Sequence, residues 1–357
     1  MANPAPLLAD QTRPRAAGTE ACPQLGPATQ RDLRKPTNPF DAIDPDLQPM
    51  EQTEFQLGLD HQLTPEITVG ARYVNKQLET TIEDIGYLVF LPDGTSEEQY
   101  ITGNPGLGLV AGDPPGPSKP QAEAIRDYQA LELSINRRYD GKWSLRAGYT
   151  YSELEGNYSG LASSDEFGRT DPNVARYFDG LVYGYDQNAS LTEGKLNTDR
   201  PHAVEVQGLY RAPWGTHLGI NTSWRSGSPV SLENDFNGVG YFPEGRGTLG
   251  DLDDLTQTDL LISHPFQIGD YTLELSLNVT NVFDEDTVTQ VENHKYRGDF
   301  CDAAPGCDFT NDFFFAGTPW NTTAIMDAAG TPVDPFFLNP LAYQAPRTVR
   351  AGIKFLF

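Results

Sequence analysis

Five histidines, His61, His202, His217, His264 and His294, come first when looking for chemistry, because a neutral imidazole ligates metals and titrates near neutral pH. None of them falls into HxxxH or HExxH spacing, so the chain encodes no helix-borne metal pair. No GxSxG elbow or P-loop occurs, and the glycine-rich stretch GNPGLGLVAG (Gly103–Gly112) precedes no helical pattern that would cradle a phosphate. Paired loop carboxylates lack the spacing of a glycoside hydrolase. The sequence therefore predicts no enzyme.

Asp251, Asp253 and Asp254 in DLDD, with the nearby FDED stretch, offer hard oxygen ligands for Ca²⁺. Solvated acidic surface is the competing and favoured reading of the same residues. Cys301 and Cys307 flank DAAPG, a separation that matches no common zinc spacing, and either a small extracellular disulfide or two free thiols fits. Cys22 stands alone.

Charges and aromatics with regular spacing are more informative. In WSLRAGYTY, Trp143, Leu145, Ala147, Tyr149 and Tyr151 alternate with Ser144, Arg146, Gly148 and Thr150. Such a period of two belongs to a strand with unlike faces. YTLELSLNVT repeats it, with Tyr271, Leu273, Leu275, Leu277 and Val279 opposing Thr272, Glu274, Ser276, Asn278 and Thr280. EFQLGLD, ITVGARY, LELSIN, HAVEVQGLY, HLGINTSW, TDLLISH and the terminal RTVRAGIKFLF bring the count to nine candidate strands.

The polar face would carry Arg72, Glu132, Arg146, Glu205, Arg225, Glu274, Asn278, Arg350 and Lys354, as suits a watery or plugged lumen. The apolar face would carry Tyr73, Trp143, Leu145, Tyr149, Tyr151, Trp224, Tyr271, Leu273 and Leu275. The aromatics among them cluster near strand ends, as in the girdles at membrane interfaces.

Connections alternate as well. HQLTPE, YDGK, RAPWG and PFQIGD read as tight turns, with Asp140-Gly141 the clearest hairpin dipeptide. The links from about Thr80 to Ile125, Glu153 to Arg200, Ser231 to Asp251 and Asp284 to Ala345 are far longer than loops of compact soluble domains. Short turns at one end and long loops at the other are the layout of an outer-membrane β-barrel. A soluble secreted β-sandwich, an adhesion or Ca²⁺-dependent binding module, shares the alternation but not the aromatic ends or the loop asymmetry.

Composition excludes other classes. The 357 residues carry a formal charge of -25, with no basic run able to neutralise phosphates, so nucleic acid is not a partner. No apolar stretch reaches the roughly 20 residues of a spanning helix. The opening residues lack the apolar core of a secretory signal.

Several stretches resemble the carboxyl-terminal part of TonB-dependent outer-membrane receptors, of the OmpA-related type with a carboxypeptidase-regulatory-like domain. They include IDPDLQPMEQTEFQLGLDHQL, ARYVNKQLETTIEDIG, ITGNPGLG, NYSGLASSDEFGRTDPNVARYFD, TDRPHAVEVQGLY, SWRSGSPVS, LNVTNVFD and QAPRTVRAGIKFLF, spread over residues 40 to 357. The resemblance implies an all-β fold, an antiparallel meander of about nine strands forming the carboxyl-terminal part of a 22-strand transmembrane barrel. It implies an outer-membrane location, contact with outer-membrane lipid, and active uptake of an unidentified substrate.

Val349, Ile353, Phe355 and Phe357 would match the terminal signal that barrel-assembly machinery reads. TonB would act only through a plug, which is absent here together with the earlier strands. An odd count of nine strands then predicts a piece of a longer barrel, inactive in transport by itself, with residues 1–40 an irregular leader and 41–357 the partial barrel.

Overall fold

The computed structural model describes residues 43–90, 96–108, 122–160, 192–236, 239–298, 300–303 and 322–357, with Ala111 and Phe178. In chain order the strands are β1 (Glu51–Gln62), β2 (Ile67–Thr80), β3 (Glu83–Phe90), β4 (Ser96–Gly103), β5 (Arg126–Arg137), β6 (Trp143–Gly156), β7 (Gly194–Lys195), β8 (His202–Arg211) and β9 (His217–Arg225). They continue with β10 (Asn234–Phe236), β11 (Val239–Tyr241), β12 (Leu255–Ile268), β13 (Tyr271–Thr280), β14 (Val288–Val291), β15 (Pro340–Tyr343) and β16 (Thr348–Leu356). Among the described residues two short helices, α1 (Phe300–Ala303) and α2 (Thr322–Ala328), lie between β14 and β15. Neither is long or apolar enough to cross a membrane.

Nine strands form one antiparallel meander in the order β1-β2-β5-β6-β8-β9-β12-β13-β16, with β7 pairing onto β6. These are the nine strands that the alternation predicts. The shortest, β9 and β16, have 9 residues and the longest, β2, β6 and β12, have 14. About 9 to 11 tilted residues suffice to cross a bilayer. Among the described strands β1 pairs only with β2 and β16 only with β13, so the sheet does not close. Nine antiparallel strands also make β1 and β16 run in the same direction.

Two differences from the sequence reading stand out. The segment PFQI belongs to β12, not to a turn, and the turn shrinks to Gly269-Asp270 because Ile268 pairs with Tyr271. Pro265 is tolerated there because β9 pairs with β12 only as far as Ser263, leaving the missing N–H without a ladder to break. The second is the hairpin β3–β4, inside the first long link, where Glu83 pairs with Gly103 and Phe90 with Ser96.

The buried apolar side chains do not lie on the sheet's apolar face. Ile85, Ile101, Leu196, Tyr241, Phe242, Phe300 and Met326 are all in or beside the long links, so the core is a cap at the loop end. The sheet's apolar face is exposed instead: Leu59 is 73% and Ile353 77% accessible. No second sheet covers that face among the described residues. Apolar surface so extended requires a non-aqueous neighbour.

Candidate functional site: the polar face and the loop cap

Register decides which side chains share a face. Leu59, Ala71, Leu133, Tyr149, Val204 and Trp224 lie in one cross-strand row. Another row on the same face runs Leu145, Gly208, Ile220, Leu260, Val279 and Val349. Tyr73 follows from its pairing with Leu57 and Leu131, Tyr151 from Leu131, and Trp143 from Tyr210. Leu273 pairs with Phe355 and Leu275 with Ile353 on this face. Tyr271 stacks on Phe355 at 5.4 Å, and Phe355 contacts Phe357 at 6.2 Å.

The alternate positions form the polar face. Asn136, Arg146, Gln207, Asn221 and Asp259 make one row, and Arg72 pairs with Glu132 in another. Arg72 donates to the Glu132 carboxylate, Arg225 to Glu205 at 2.7 Å, and Arg146 Nε to the Asn136 carbonyl at 3.1 Å. Lys76 lies 3.4 Å from Glu54. Glu274 accepts from Ser263 Oγ at 2.5 Å and faces Lys354 in register, as Asn278 faces Arg350. The structure thus brings the nine polar candidates to one face and the apolar candidates to the other. Exposed pairs of this sort contribute roughly 0 to 1 kcal/mol each, so they give the face its chemistry more than its stability.

The loop cap is fastened to the strand ends mostly by side chains that sequence reasoning did not single out, and by a few, Asp254, His202 and His294, that it weighed for other roles. The stretch TDRPH works as an anchor. Asp199, 1% exposed, accepts the Leu154 N–H at 3.0 Å through Oδ1, while Oδ2 has no partner among the described residues. Burial pushes this carboxyl up to about 6, with Glu153 and Glu155 adding to it and the Leu154 amide and Lys195 opposing it. Arg200 Nη1 donates to the Ser226 carbonyl at 2.7 Å. His202 sits against Tyr149, Tyr151 and Trp224, with Nδ1 2.8 Å from the Tyr149 hydroxyl.

SGSP then explains itself sterically. A Cβ on Gly227 would meet the Leu252 carbonyl oxygen at 1.6 Å, so only glycine fits the turn that leaves β9. Asp254 holds the same turn, accepting from Gly227 N at 3.2 Å and from Trp224 Nε1 at 3.0 Å. Its oxygens are therefore committed to the protein. Among the described residues no group of three or more His, Cys, Asp or Glu is arranged to hold a metal, so Asp251, Asp253 and Asp254 do not form the Ca²⁺ site that their sequence spacing allowed.

TNVFD closes the longest link. Asn281 has φ of 52°, a left-handed conformation that asparagine adopts more readily than most residues. Its Nδ2 donates to Glu285 O at 2.7 Å and Ala345 O at 2.9 Å, joining the start of the link to its end. Arg347 adds a second clip, its N–H donating to Asp284 Oδ1 at 2.9 Å and its Nη1 to Val282 O at 3.2 Å.

Two further contacts bind loop to loop. Tyr158 donates to Glu83 at 2.6 Å, fixing the β3–β4 hairpin above β6; burial and the Glu83 charge push this phenol upward. Glu233, 2% exposed, lies 3.6 Å from His294 Nε2, and Glu292 lies 3.5 Å from Nδ1. This cluster ties the β9–β12 link to the β13–β16 link. Of the cysteines, Cys22 and Cys307 lie outside the described residues, and nothing follows about a Cys301 to Cys307 bond.

The β3–β4 hairpin had a signal in Asp93-Gly94, between two runs of alternating residues. The anchors had none but their membership of TDRPH, SGSP and TNVFD, because, apart from the Asn281 to Glu285 bond, their partners are 22 to 65 residues away.

The chain is 28% identical over 332 residues to the TonB-dependent transporter Oar of Myxococcus xanthus, covering 88% of this chain and 29% of that protein. The chain thus spans under a third of that relative's length. Among solved structures, the ferric-catecholate import receptor Fiu of E. coli K12 matches with a TM-score of 0.39 at 15% identity, over 70% of this chain and 25% of that one. The ferripyoverdine receptor of the outer membrane of Pseudomonas aeruginosa matches with a TM-score of 0.40 at 15% identity, over 69% and 25%. The family model for the outer membrane beta barrel domain matches residues 3–231, and with the two-faced meander and its long-loop end this places the chain in the outer-membrane β-barrel domain family.

Proposed function

We propose that this chain is the carboxyl-terminal wall of a TonB-dependent receptor barrel for active substrate uptake. The observation that carries it is the segregation of faces: Arg72, Glu132, Arg146, Glu205, Arg225, Glu274, Asn278, Arg350 and Lys354 share one face of the sheet that the transport reading turns to the lumen. On this reading Tyr73, Trp143, Leu145, Tyr149, Tyr151, Trp224, Tyr271, Leu273 and Leu275 meet lipid, and the aromatics form its girdles. The resemblance to Oar, itself a transporter, supports the assignment.

The loop cap is the external mouth and the tight turns face the periplasm. Substrate passes the polar wall, and a plug that couples to TonB gates it. Val349, Ile353, Phe355 and Phe357 are the segment that barrel-assembly machinery engages. Strands beyond this chain complete the wall; because β1 and β16 run in the same direction, their number is odd in a fully antiparallel closed barrel. In isolation the chain transports nothing.

Single cysteines test the reading. In cells carrying the protein in their outer membrane, an impermeant maleimide should label Asp253→Cys from outside, and should label Asp140→Cys only after the cells are opened. In opened membranes Arg146→Cys and Asn278→Cys should react with the aqueous reagent and Leu145→Cys and Leu275→Cys should not. Labelling of Asp140→Cys in intact cells would reverse the orientation and defeat the external-mouth assignment.

A further inference from the structure

The apolar face carries, at its turn end, a groove of about 590 Å³. Its floor is Gly208, which stands in the row Leu145, Gly208, Ile220, Leu260 as the one residue without a side chain. Strands lie about 4.8 Å apart, so Leu145 and Ile220 stand roughly 10 Å apart across the notch, and their own radii leave the width of one hydrocarbon chain. A Cβ on Gly208 would come within 3.2 Å of Ile220 Cγ2, so even one carbon there would press on the wall. Trp143 and Tyr210, partners in register, line the end nearest the turn.

Lys142 lines the mouth of this groove. It is exposed, and among the described residues its ammonium has no ion pair. Arg137 beside it is already committed, paired with Asp140 at 2.6 Å and stacked 3.7 Å over the Trp143 ring. Asp140 is equally committed, its carboxyl held well below the usual range by Arg137 and by the Lys142 and Trp143 amides. Among the described residues lining the groove, Lys142 is the cation left for a ligand, at the level of an aromatic pair and above an apolar notch. That combination matches a lipid whose phosphate sits at the interface and whose chain runs into the bilayer.

We propose that this groove binds an anionic glycerophospholipid from the leaflet at the turn end, with its phosphate on Lys142 and one acyl chain over Gly208. The inference rests on the lipid-facing assignment of the apolar face and not on transport, so labelling of Asp140→Cys in intact cells leaves the groove itself standing, whereas labelling of Leu145→Cys, which lines it, would remove both.

Native mass spectrometry of the whole chain in mild detergent tests it, with phosphatidylglycerol and phosphatidylethanolamine titrated separately. Wild type should retain phosphatidylglycerol in preference, and Lys142→Gln should lower that retention about fivefold, the loss of one cation near a lipid surface. Gly208→Leu should remove the preference by filling the notch. Arg146→Gln, on the opposite face, should leave the lipid preference unchanged. Equal retention of the two lipids by wild type, or no effect of Lys142→Gln, would overturn the proposal. Should Gly208→Leu fail to fold, Lys142→Gln alters only an exposed side chain and still decides.

Discussion

Leu275 and Ser276 are neighbours on β13, yet one points to a face of leucines, isoleucines and aromatics and the other to a face of charges and amides. The backbone of the two faces is the same ladder; only side-chain parity separates them. The apolar face is not stabilised by apolar burial within the chain, and the polar face buries only a few side chains such as Val74, Ala130 and Leu154 toward its loop end. The apolar one is held by whatever covers it, the polar one by water and by pairs worth little, while the true core lies in the loop cap. The sheet therefore depends on its surroundings, and the cap depends on itself.

That comparison is breakable by substitution. The largest effect is expected from Leu275→Lys, at mid-strand on the apolar face, which should cost roughly 2 to 4 kcal/mol of folding into bilayers. Ser276→Lys, one residue along, should cost far less. Heat-modifiable mobility on gels after refolding into vesicles measures both; equal losses would mean that the faces do not meet different media.

The cap should answer to different changes. Gly227→Ala forces a Cβ against the Leu252 carbonyl oxygen and should cost roughly 2 to 3 kcal/mol, read by denaturant unfolding and by faster proteolysis of the β9–β12 link. Asn281→Ala removes both donors that clip the ends of the β13–β16 link and should cost about 1 to 3 kcal/mol. Hydrogen exchange should then rise at Glu285 and leave β5 unchanged.

Asp199 gives a pH dependence whose sign is fixed. Its folded-state carboxyl is raised to about 6 from an ordinary 3.8, so the protonated form is the one the fold favours. Its contribution is present below pH 3.8, declines as pH rises through about 6, and is absent above. Anchoring of residues 192–200 should weaken over that window, and Asp199→Asn should flatten the profile while keeping the acceptor for Leu154 N–H. A wild-type profile that strengthens from pH 4 to 6 would contradict this. The smallest effect is expected for Arg146→Ala, under about 1 kcal/mol in unfolding, with any change confined to substrate passage in the complete receptor. A block in assembly would remove Arg146 from the lumen wall.

Much of the sheet was legible because one period of two governs nine strands and each residue's face follows from parity alone. Trp143 to Tyr151 is the plainest case, where five odd positions are apolar or aromatic. The end of β12 was not legible, since Pro265 reads as a turn until the shorter reach of β9 shows that its absent N–H breaks no ladder. The cap was least legible. Asp199, Arg200, Gly227 and Asn281 act on partners far along the chain, so local spacing carries no trace of their roles. The role of DLDD was illegible for the same reason, because Asp254 gives its oxygens to Trp224 and Gly227, 30 and 27 residues away.

The most direct test is a nitroxide scan of β13 in the protein reconstituted into vesicles, one residue at a time from Leu273 to Thr280. Oxygen accessibility should peak at 273, 275, 277 and 279, and a water-soluble nickel relaxant at 274, 276, 278 and 280. Two profiles in phase, or no period of two at all, would contradict the segregation of faces.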